Sequence, residues 1–374
     1  MLAPLSAAIT PIAEIIDGAR NGLPFILVDA DSRENEGDLV IPAQMATPEI
    51  INFMAKHCRG LICLAITADR AAELDLPPMI LDNRTPYGTA FTVSIEAKEG
   101  VTTGISVHDR AHTIAVAIDA RHGSGDLVSP GHVFPLIARD GGVLVRAGHT
   151  EAAVDVARLA GLNPSGVICE VMNDDGTMAR LDDLVAFGQL HNIPIGTIAD
   201  LIAYRRQTEC HVERAAQMPF HSVHGTFDAV VYRNTIDGSE HVALVKGGIG
   251  AEDDVMVRMH RLDIGSDVLG LSNGRDSHLV TALRWIASHD GPGVAVLLQN
   301  GEPGWLSRQL SGNAHMCRDQ AVRDYGIGAQ ILLDLGVRRM VPLTSAKPNL
   351  AALAGYDLDI TGWRQFQDLE HLRP

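Results

Sequence analysis

The run Phe25-Ile26-Leu27-Val28 constrains this chain more than any other stretch, because of what stands on either side of it. Before it, Ile12, Ile15, Ile16 and Ala19 recur at helical spacing, and Gly22-Leu23-Pro24 closes that helix. After it comes Arg33-Glu34-Asn35-Glu36-Gly37-Asp38, so residues 29–38 hold five carboxylates (Asp29, Asp31, Glu34, Glu36, Asp38) and one basic partner, Arg33. Four large apolar residues in a row read as a strand buried on both faces. Alternation of such strands with amphipathic helices predicts a mixed sheet covered by helices, an α+β fold of the α/β-sandwich kind. A strand that empties into an acidic loop either holds a divalent cation and a polar substrate or is a solvated acidic turn.

The alternation continues. Thr47-Pro48-Glu49 reads as an N-cap, a first-turn proline and a first-turn acid; Ile51, Met54, Ala55 and Cys58 form one apolar face, with Gly60 as the stop. Leu61 to Ile66 and Gly166 to Met172 read as strands. Leu181, Leu184 and Val185 belong to one helix, and Thr197-Ile198-Ala199-Asp200 is a capping box before another. With 374 residues the chain exceeds one ordinary core. The polar stretch from Arg205 suggests domains at 1–205 and 220–374, joined by a linker over 206–219.

Composition narrows the function classes. Apolar residues at 46% and charged residues at 20% describe a globular protein. A formal charge of −16 argues against a phosphate-backbone partner, so no nucleic acid is expected, and an anionic substrate must be drawn in by a local basic group. No apolar run is long enough to span a bilayer and no signal peptide opens the chain, so no membrane partner is expected. Five cysteines (58, 63, 169, 210, 317) with no CxxC pair favour reduced thiols and a cytoplasmic location.

Three further places carry chemistry. Ser129-Pro130-Gly131-His132-Val133-Phe134-Pro135 reads as a stiff turn, its imidazole either a proton shuttle or bonded to backbone. In Arg146-Ala147-Gly148-His149-Thr150-Glu151, Thr150 reads as the N-cap of a helix carrying Ala153, Val156, Ala157 and Ala160, with Gly161 as its stop. That is either an anion site made by free N–H groups and Arg146, or a plain cap beside an unrelated arginine. Glu170 lies in the apolar strand Val167-Ile168-Cys169-Glu170-Val171, where a carboxylate is costly unless paired, liganded or catalytic.

Taken in order, Arg33-Glu34-Asn35-Glu36-Gly37-Asp38, Thr102-Thr103-Gly104-Ile105-Ser106, Pro130-Gly131-His132-Val133-Phe134-Pro135-Leu136, Gly148-His149-Thr150-Glu151-Ala152 and Asn173-Asp174-Asp175-Gly176-Thr177-Met178-Ala179-Arg180 resemble 3,4-dihydroxy-2-butanone 4-phosphate synthase over residues 1 to about 205. The resemblance implies a Mg²⁺-dependent lyase that converts D-ribulose 5-phosphate to L-3,4-dihydroxy-2-butanone 4-phosphate and formate in riboflavin biosynthesis, working as a homodimer. It implies Glu34 and His149 as metal ligands, and His132 and Glu170 as the catalytic residues. Substrate contacts would come from Arg33, Glu34, Asp38, Arg146, Gly148, His149, Thr150 and Glu170, with Tyr87, Cys63, Thr102 and Thr103 lining the pocket. One Glu and one His are sparse but sufficient for Mg²⁺, and the imidazole suits Mn²⁺ as a substitute. Proton transfers need several titrating groups, which Glu170, His132, Asp38 and Glu36 supply.

Residues 220–374 resemble GTP cyclohydrolase II, through His241-Val242-Ala243-Leu244-Val245, Val257-Arg258-Met259-His260 and Arg323-Asp324-Tyr325-Gly326-Ile327-Gly328-Ala329-Gln330-Ile331-Leu332. The three cysteines that hold zinc in that family correspond to Asp263, Gly274 and Asp276, so no zinc is expected. The phosphate-binding loop reads Asn300-Gly301-Glu302-Pro303-Gly304-Trp305, where Glu302 would repel a triphosphate, and Ser345-Ala346-Lys347-Pro348-Asn349 is also altered. The domain is expected to keep the fold and lack the GTP reaction. Two alternatives remain: a bifunctional enzyme retaining that reaction, or a regulatory or interaction module. His260, Asp263, Asp267, Asp276 and His278 are candidates for a different metal site.

Overall fold

A computed structural model describes residues 9–31, 33–269, 278–299, 305–310, 318–344 and 357–366, with backbone alone for 308–310 and 318–325. The chain divides into two compact units, Met1–Arg205 and Arg206–Pro374.

The first unit runs α1 (Ile12–Arg20), β1 (Phe25–Val28), β2 (Gly37–Pro42), α2 (Pro48–Phe53), β3 (Cys63–Ile66), α3 (Ala68–Glu73), β4 (Ile95–Ala97), α4 (Val107–Ile118), β5 (Leu127–Ile137), α5 (His149–Leu159), β6 (Gly166–Glu170), α6 (Leu181–His191), β7 (Ile195–Thr197) and α7 (Ile198–Thr208). Its strands form one mixed sheet in the order β4-β5-β3-β6-β2-β1-β7. Side chains alternate between the two faces, and each face has its own core. Ile26, Leu39 and Ile41 pack with Ile51 of α2, Met54 of the π-helical turn that follows it, Ile114 of α4 and Leu184 of α6. Phe25, Leu27, Val40 and Ile168 pack with Ile15, Ile16, Ala153, Val156 and Leu201 from α1, α5 and α7. This is the helix-covered mixed sheet the sequence predicts.

Most local signals hold. Ile12, Ile15, Ile16 and Ala19 are all buried in α1. Thr47 caps α2 by accepting from Ile50 N, and Thr197 Oγ1 accepts from Asp200 N at 3.0 Å. Five expectations need correction. Ala55 is exposed, and the turn after α2 ends at Arg59, in the left-handed region at φ 68°, one residue before Gly60. His132 stands inside β5 rather than in a turn, because pairing with β3 and β4 holds its Pro- and Gly-rich segment extended. Helix α5 starts at His149 with Gly148 as N-cap, so Thr150 lies in the first turn. Much of the expected linker, 206–219, is regular structure: α7 runs to Thr208 and β8 begins at Val212.

The second unit contains β8 (Val212–Ser222), β9 (Gly225–Asn234), β10 (Glu240–Lys246), β11 (Asp254–Arg261), α8 (His278–Ser288), β12 (Gly293–Leu298), α9 (Trp305–Leu310), α10 (Arg318–Asp334), β13 (Arg339–Thr344), β14 (Asp359–Ile360) and β15 (Arg364–Gln365). Its sheet runs β14-β13-β11-β12-β10-β9-β8, with β15 also on β13. It too has an apolar core on each face. Gly274, Asp276, residues 300–304, 345–349 and Cys317 lie outside the described residues, as do the side chains of Arg323, Asp324 and Tyr325.

Candidate metal and substrate site

The acidic stretch is the loop of the β1–β2 hairpin, closed where Val28 pairs with Gly37. Asp29 folds it. Its Oδ2 accepts from Arg33 Nη1 and Glu34 N, both at 3.0 Å, and its Oδ1 accepts from Glu36 N at 2.8 Å. Arg180 braces the loop from outside by donating to the carbonyls of Glu34, at 2.9 Å, and Asn35. Neither Asp29 nor Arg180 carries a role in the sequence reading. Each acts on backbone groups, and only a charge at a strand end or motif end marks it beforehand.

The hairpin delivers Glu34 and Asp38 to the N-terminus of α5, where His149 is buried. His149 Nε2 donates to the Leu27 carbonyl at 3.1 Å, so Nδ1 is the nitrogen that faces the carboxylates. It lies 3.8 Å from Glu34 Oε2 and 3.8 Å from Asp38 Oδ1. Glu34 Oε2 also takes the Arg33 guanidinium at 2.5 Å. Burial opposes charge on His149, but Asp38 and Glu34 outweigh it and raise its pKa to about 9. Burial raises Asp38 to about 7 against the pull of His149, whereas the His149 imidazole, with Nδ1 3.8 Å away, lowers Glu34 despite its burial. Burial also raises Glu36.

This donor set fits a divalent cation. Atoms of Asp29, Glu34 and His149 lie within 4.8 Å of one another, the one such group of three among the described residues. Asp38 Oδ1 is buried without a hydrogen-bond partner, an expensive state that a cation relieves. Ligands sharing one Mg²⁺ at about 2.1 Å stand about 3–4.2 Å apart, which the two 3.8 Å separations match.

Glu170 joins from the neighbouring strand, since Asp38 pairs with Glu170 across β2 and β6. Its Oε2 accepts from Leu61 N at 2.8 Å. Gly60 makes room: a Cβ there would fall 2.4 Å from the Glu170 carbonyl and 2.6 Å from Oε2. Cys63 pairs with Phe134 on one side and Ile168 on the other. His132 and Glu170 each lie two residues beyond that row, in the same direction and on the same face. Two strand spacings place their backbones roughly 10 Å apart. His132 Nδ1 is instead bonded to Glu96 Oε2 at 2.7 Å, and no hydrogen bond or ion pair joins it to the Glu34–His149 group.

The predicted anion contacts cluster at the start of α5, beside His149. Arg146 donates to Glu151 Oε2 at 2.6 Å, to the Tyr87 carbonyl at 3.2 Å and to Thr89 Oγ1 at 3.3 Å. It runs beside Gly148, and Thr150 is buried in the first turn of α5, whose leading N–H groups have no intrahelical acceptor. Tyr87 donates its hydroxyl to the Arg33 carbonyl at 2.6 Å and lies under the Arg33 guanidinium at 5.2 Å. Cys63 is buried, and burial pushes its thiol pKa up. Thr102 is tied to the buried Asp109 at 2.8 Å, while Thr103 is exposed.

In the second unit the proposed alternative metal set does not assemble among the described residues. His260 Nε2 bonds Asp267 Oδ2 at 2.7 Å and its Nδ1 faces Arg258 Nη2 at 3.2 Å. Asp263 caps a turn through Ser266 N, and the His278 ring stacks on Phe366 at 4.7 Å.

Comparison with known proteins identifies a family for each unit. Residues 13–204 match the family model described as 3,4-dihydroxy-2-butanone 4-phosphate synthase, and residues 213–365 match that of GTP cyclohydrolase II. The chain is 48% identical over 360 residues to the Pseudomonas aeruginosa protein called 3,4-dihydroxy-2-butanone 4-phosphate synthase, covering 94% of this chain and 98% of that one. It is 47% identical over 366 residues to the riboflavin biosynthesis protein RibBA of Salinispora arenicola, covering 94% and 86%. Among solved structures it resembles RibBX, a two-domain 3,4-dihydroxy-2-butanone 4-phosphate synthase from A. baumannii, with TM-score 0.75 and 40% identity over 95% of this chain and 99% of that one. A synthase structure in complex with two magnesium ions matches with TM-score 0.52 and 42% identity, over 54% of this chain and 98% of that one.

Proposed function

Because the chain belongs to the family of 3,4-dihydroxy-2-butanone 4-phosphate synthases, enzymes of riboflavin biosynthesis, we propose that its first unit converts D-ribulose 5-phosphate to L-3,4-dihydroxy-2-butanone 4-phosphate and formate. The observation that carries this reading is the meeting of Glu34, Asp38 and His149 Nδ1, 3.8 Å apart, at the end of the sheet. Glu34 and His149 would hold Mg²⁺, or Mn²⁺ in its place, and the bound cation polarises the substrate's carbonyl and adjacent hydroxyl. Asp38 and Glu170, paired across β2 and β6, carry protons to and from the sugar's carbons and hydroxyls. Burial raises Asp38 toward neutral pH, which suits it to exchange a proton there. His132 supplies a further proton relay from the same face. Arg33, Arg146, Gly148 and Thr150 receive the 5-phosphate at the start of α5, where first-turn amides favour an anion. Holding that remote group orients the reacting carbons.

A homodimer and a cytoplasmic site of action belong to this reading. No helix among the described residues is long and apolar enough to cross a membrane. The second unit is proposed to keep the cyclohydrolase II fold without its reaction. In support, Asp263 stands where that family has a zinc cysteine, and His260 is held between Arg258 and Asp267. Stoichiometric zinc with GTP turnover would instead establish a bifunctional enzyme. The main test is formate release from ribulose 5-phosphate by purified protein with Mg²⁺. Glu34→Gln and His149→Ala should abolish it with the circular dichroism unchanged; no formate from the parent protein refutes the assignment.

A further inference from the structure

We propose that Glu151 is a positioning residue for the substrate's phosphate ester, acting by aiming Arg146; this rests on the assignment of Arg146 to that group. Glu151 is in the first turn of α5 and only 1% exposed. Its Oε2 accepts from Arg146 Nη1 at 2.6 Å and its Oε1 accepts from Arg139 N at 3.0 Å. One buried carboxylate thus ties down both ends of the segment that leads into the helix.

The other contacts of the guanidinium are weaker. Nε and Nη2 reach the Tyr87 carbonyl at 3.2 Å each, and Nη2 reaches Thr89 Oγ1 at 3.3 Å, all neutral acceptors at long range. The charge-assisted bond to Glu151 is the short one. A phosphate arriving at the start of α5 would displace the long contacts and keep the short one. Glu151 therefore sets the direction of the arginine while its other edge stays exchangeable. Gly148 shares in this. A Cβ at that position would fall 2.4 Å from Arg146 Nη1 and 2.9 Å from Glu151 Oε2, so the ion pair fills the space a larger residue would take.

A first-turn acid that merely favours the helix dipole does so at the surface. Burying a carboxylate for that purpose gains little stability, since desolvation offsets most of the pairing energy. Two partners drawn from one segment are better explained by geometry needed at Arg146.

The experiment is a double-mutant cycle on KM and kcat with ribulose 5-phosphate and Mg²⁺, using Glu151→Gln, Arg146→Gln and both together. Glu151→Gln should raise KM about tenfold and change kcat less, as expected for loss of one charge-assisted bond. The double variant should be no worse than Arg146→Gln within about twofold, because Glu151 acts only through Arg146. Inorganic phosphate should inhibit Glu151→Gln about tenfold more weakly than the parent. Gly148→Ala, whose methyl group would crowd the guanidinium at 2.4 Å and the carboxylate oxygen at 2.9 Å and so spoil their pairing, should reproduce the rise in KM and serves if Glu151→Gln does not fold. Unchanged KM in either variant, or effects that multiply in the double variant, overturns the proposal. If Arg146→Gln itself leaves KM unchanged, the assignment of Arg146 fails and the proposal goes with it.

Discussion

Replacing Asp29 by Asn tests how the acidic loop is held in shape. The carboxylate offers Oδ2 to Arg33 Nη1 and Glu34 N and Oδ1 to Glu36 N. An asparagine has one oxygen, so its NH₂ must face donors. One orientation leaves Glu36 N without a partner; the other leaves Glu34 N without one and costs the Arg33 guanidinium its bond to residue 29, with only Glu34 Oε2 remaining to it. A part-buried donor left unmet costs about 1–3 kcal/mol. The loop need not unfold to escape that cost. It can shift, and Glu34 shifts with it. At 1.4 kcal/mol per decade, divalent-cation affinity should fall about 10- to 100-fold, the range typical of residues that hold metal ligands in place. The assay is a Mn²⁺ titration followed by the paramagnetic resonance of the free ion, with circular dichroism to establish that the variant is folded. Mn²⁺ affinity within twofold of the parent in a folded variant would refute the assigned role of Asp29.

Gly60→Ala would drive a methyl group to 2.4 Å from the Glu170 carbonyl, so unfolding by urea should show a loss of about 1–3 kcal/mol and formate release should slow. The titrating groups predict a pH effect with a definite sign. In metal-free protein His149 is raised to about 9 and Asp38 to about 7, both above their unfolded values of 6.5 and 3.8. Each therefore contributes stability at low pH that is lost as pH rises through the folded value. Metal-free protein should melt lower at pH 9 than at pH 6. Because the cation needs the His149 nitrogen deprotonated and its charge favours ionised Asp38 beside it, its stabilising increment should grow over the same window; an increment that is flat or falls with pH contradicts the site.

Local signals were legible and non-local ones were not. The stripe of α1, the Thr47 cap and the Thr197 cap lie within a few residues and need no tertiary partner. His132 was misplaced because its Pro and Gly neighbours describe a turn locally, while β3 and β4 hold them in a strand. β8 was hidden for the opposite reason. Both its faces are largely exposed, so it lacks the alternation that marks a half-buried strand. Helix α5 starts two residues before the point the Thr150 cap suggests, because the His149 bond to the Leu27 carbonyl, 122 residues away, draws His149 into the first turn. Within the site, Glu34, His149 and Glu170 stood out by residue type, setting and family likeness. Asp29, Glu151 and Arg180 did not, since a charge that serves backbone groups or another charge looks like any surface charge.

The central claim is that Glu34 and His149 Nδ1 hold one divalent cation. Pulsed paramagnetic resonance of the Mn²⁺-loaded protein tests it most directly, because an imidazole ligand leaves a ¹⁴N modulation on the manganese signal. The account predicts that modulation in the parent and in Glu34→Asp, and its loss in His149→Ala. Bound Mn²⁺ with no nitrogen coupling, or coupling that survives in His149→Ala, would contradict it.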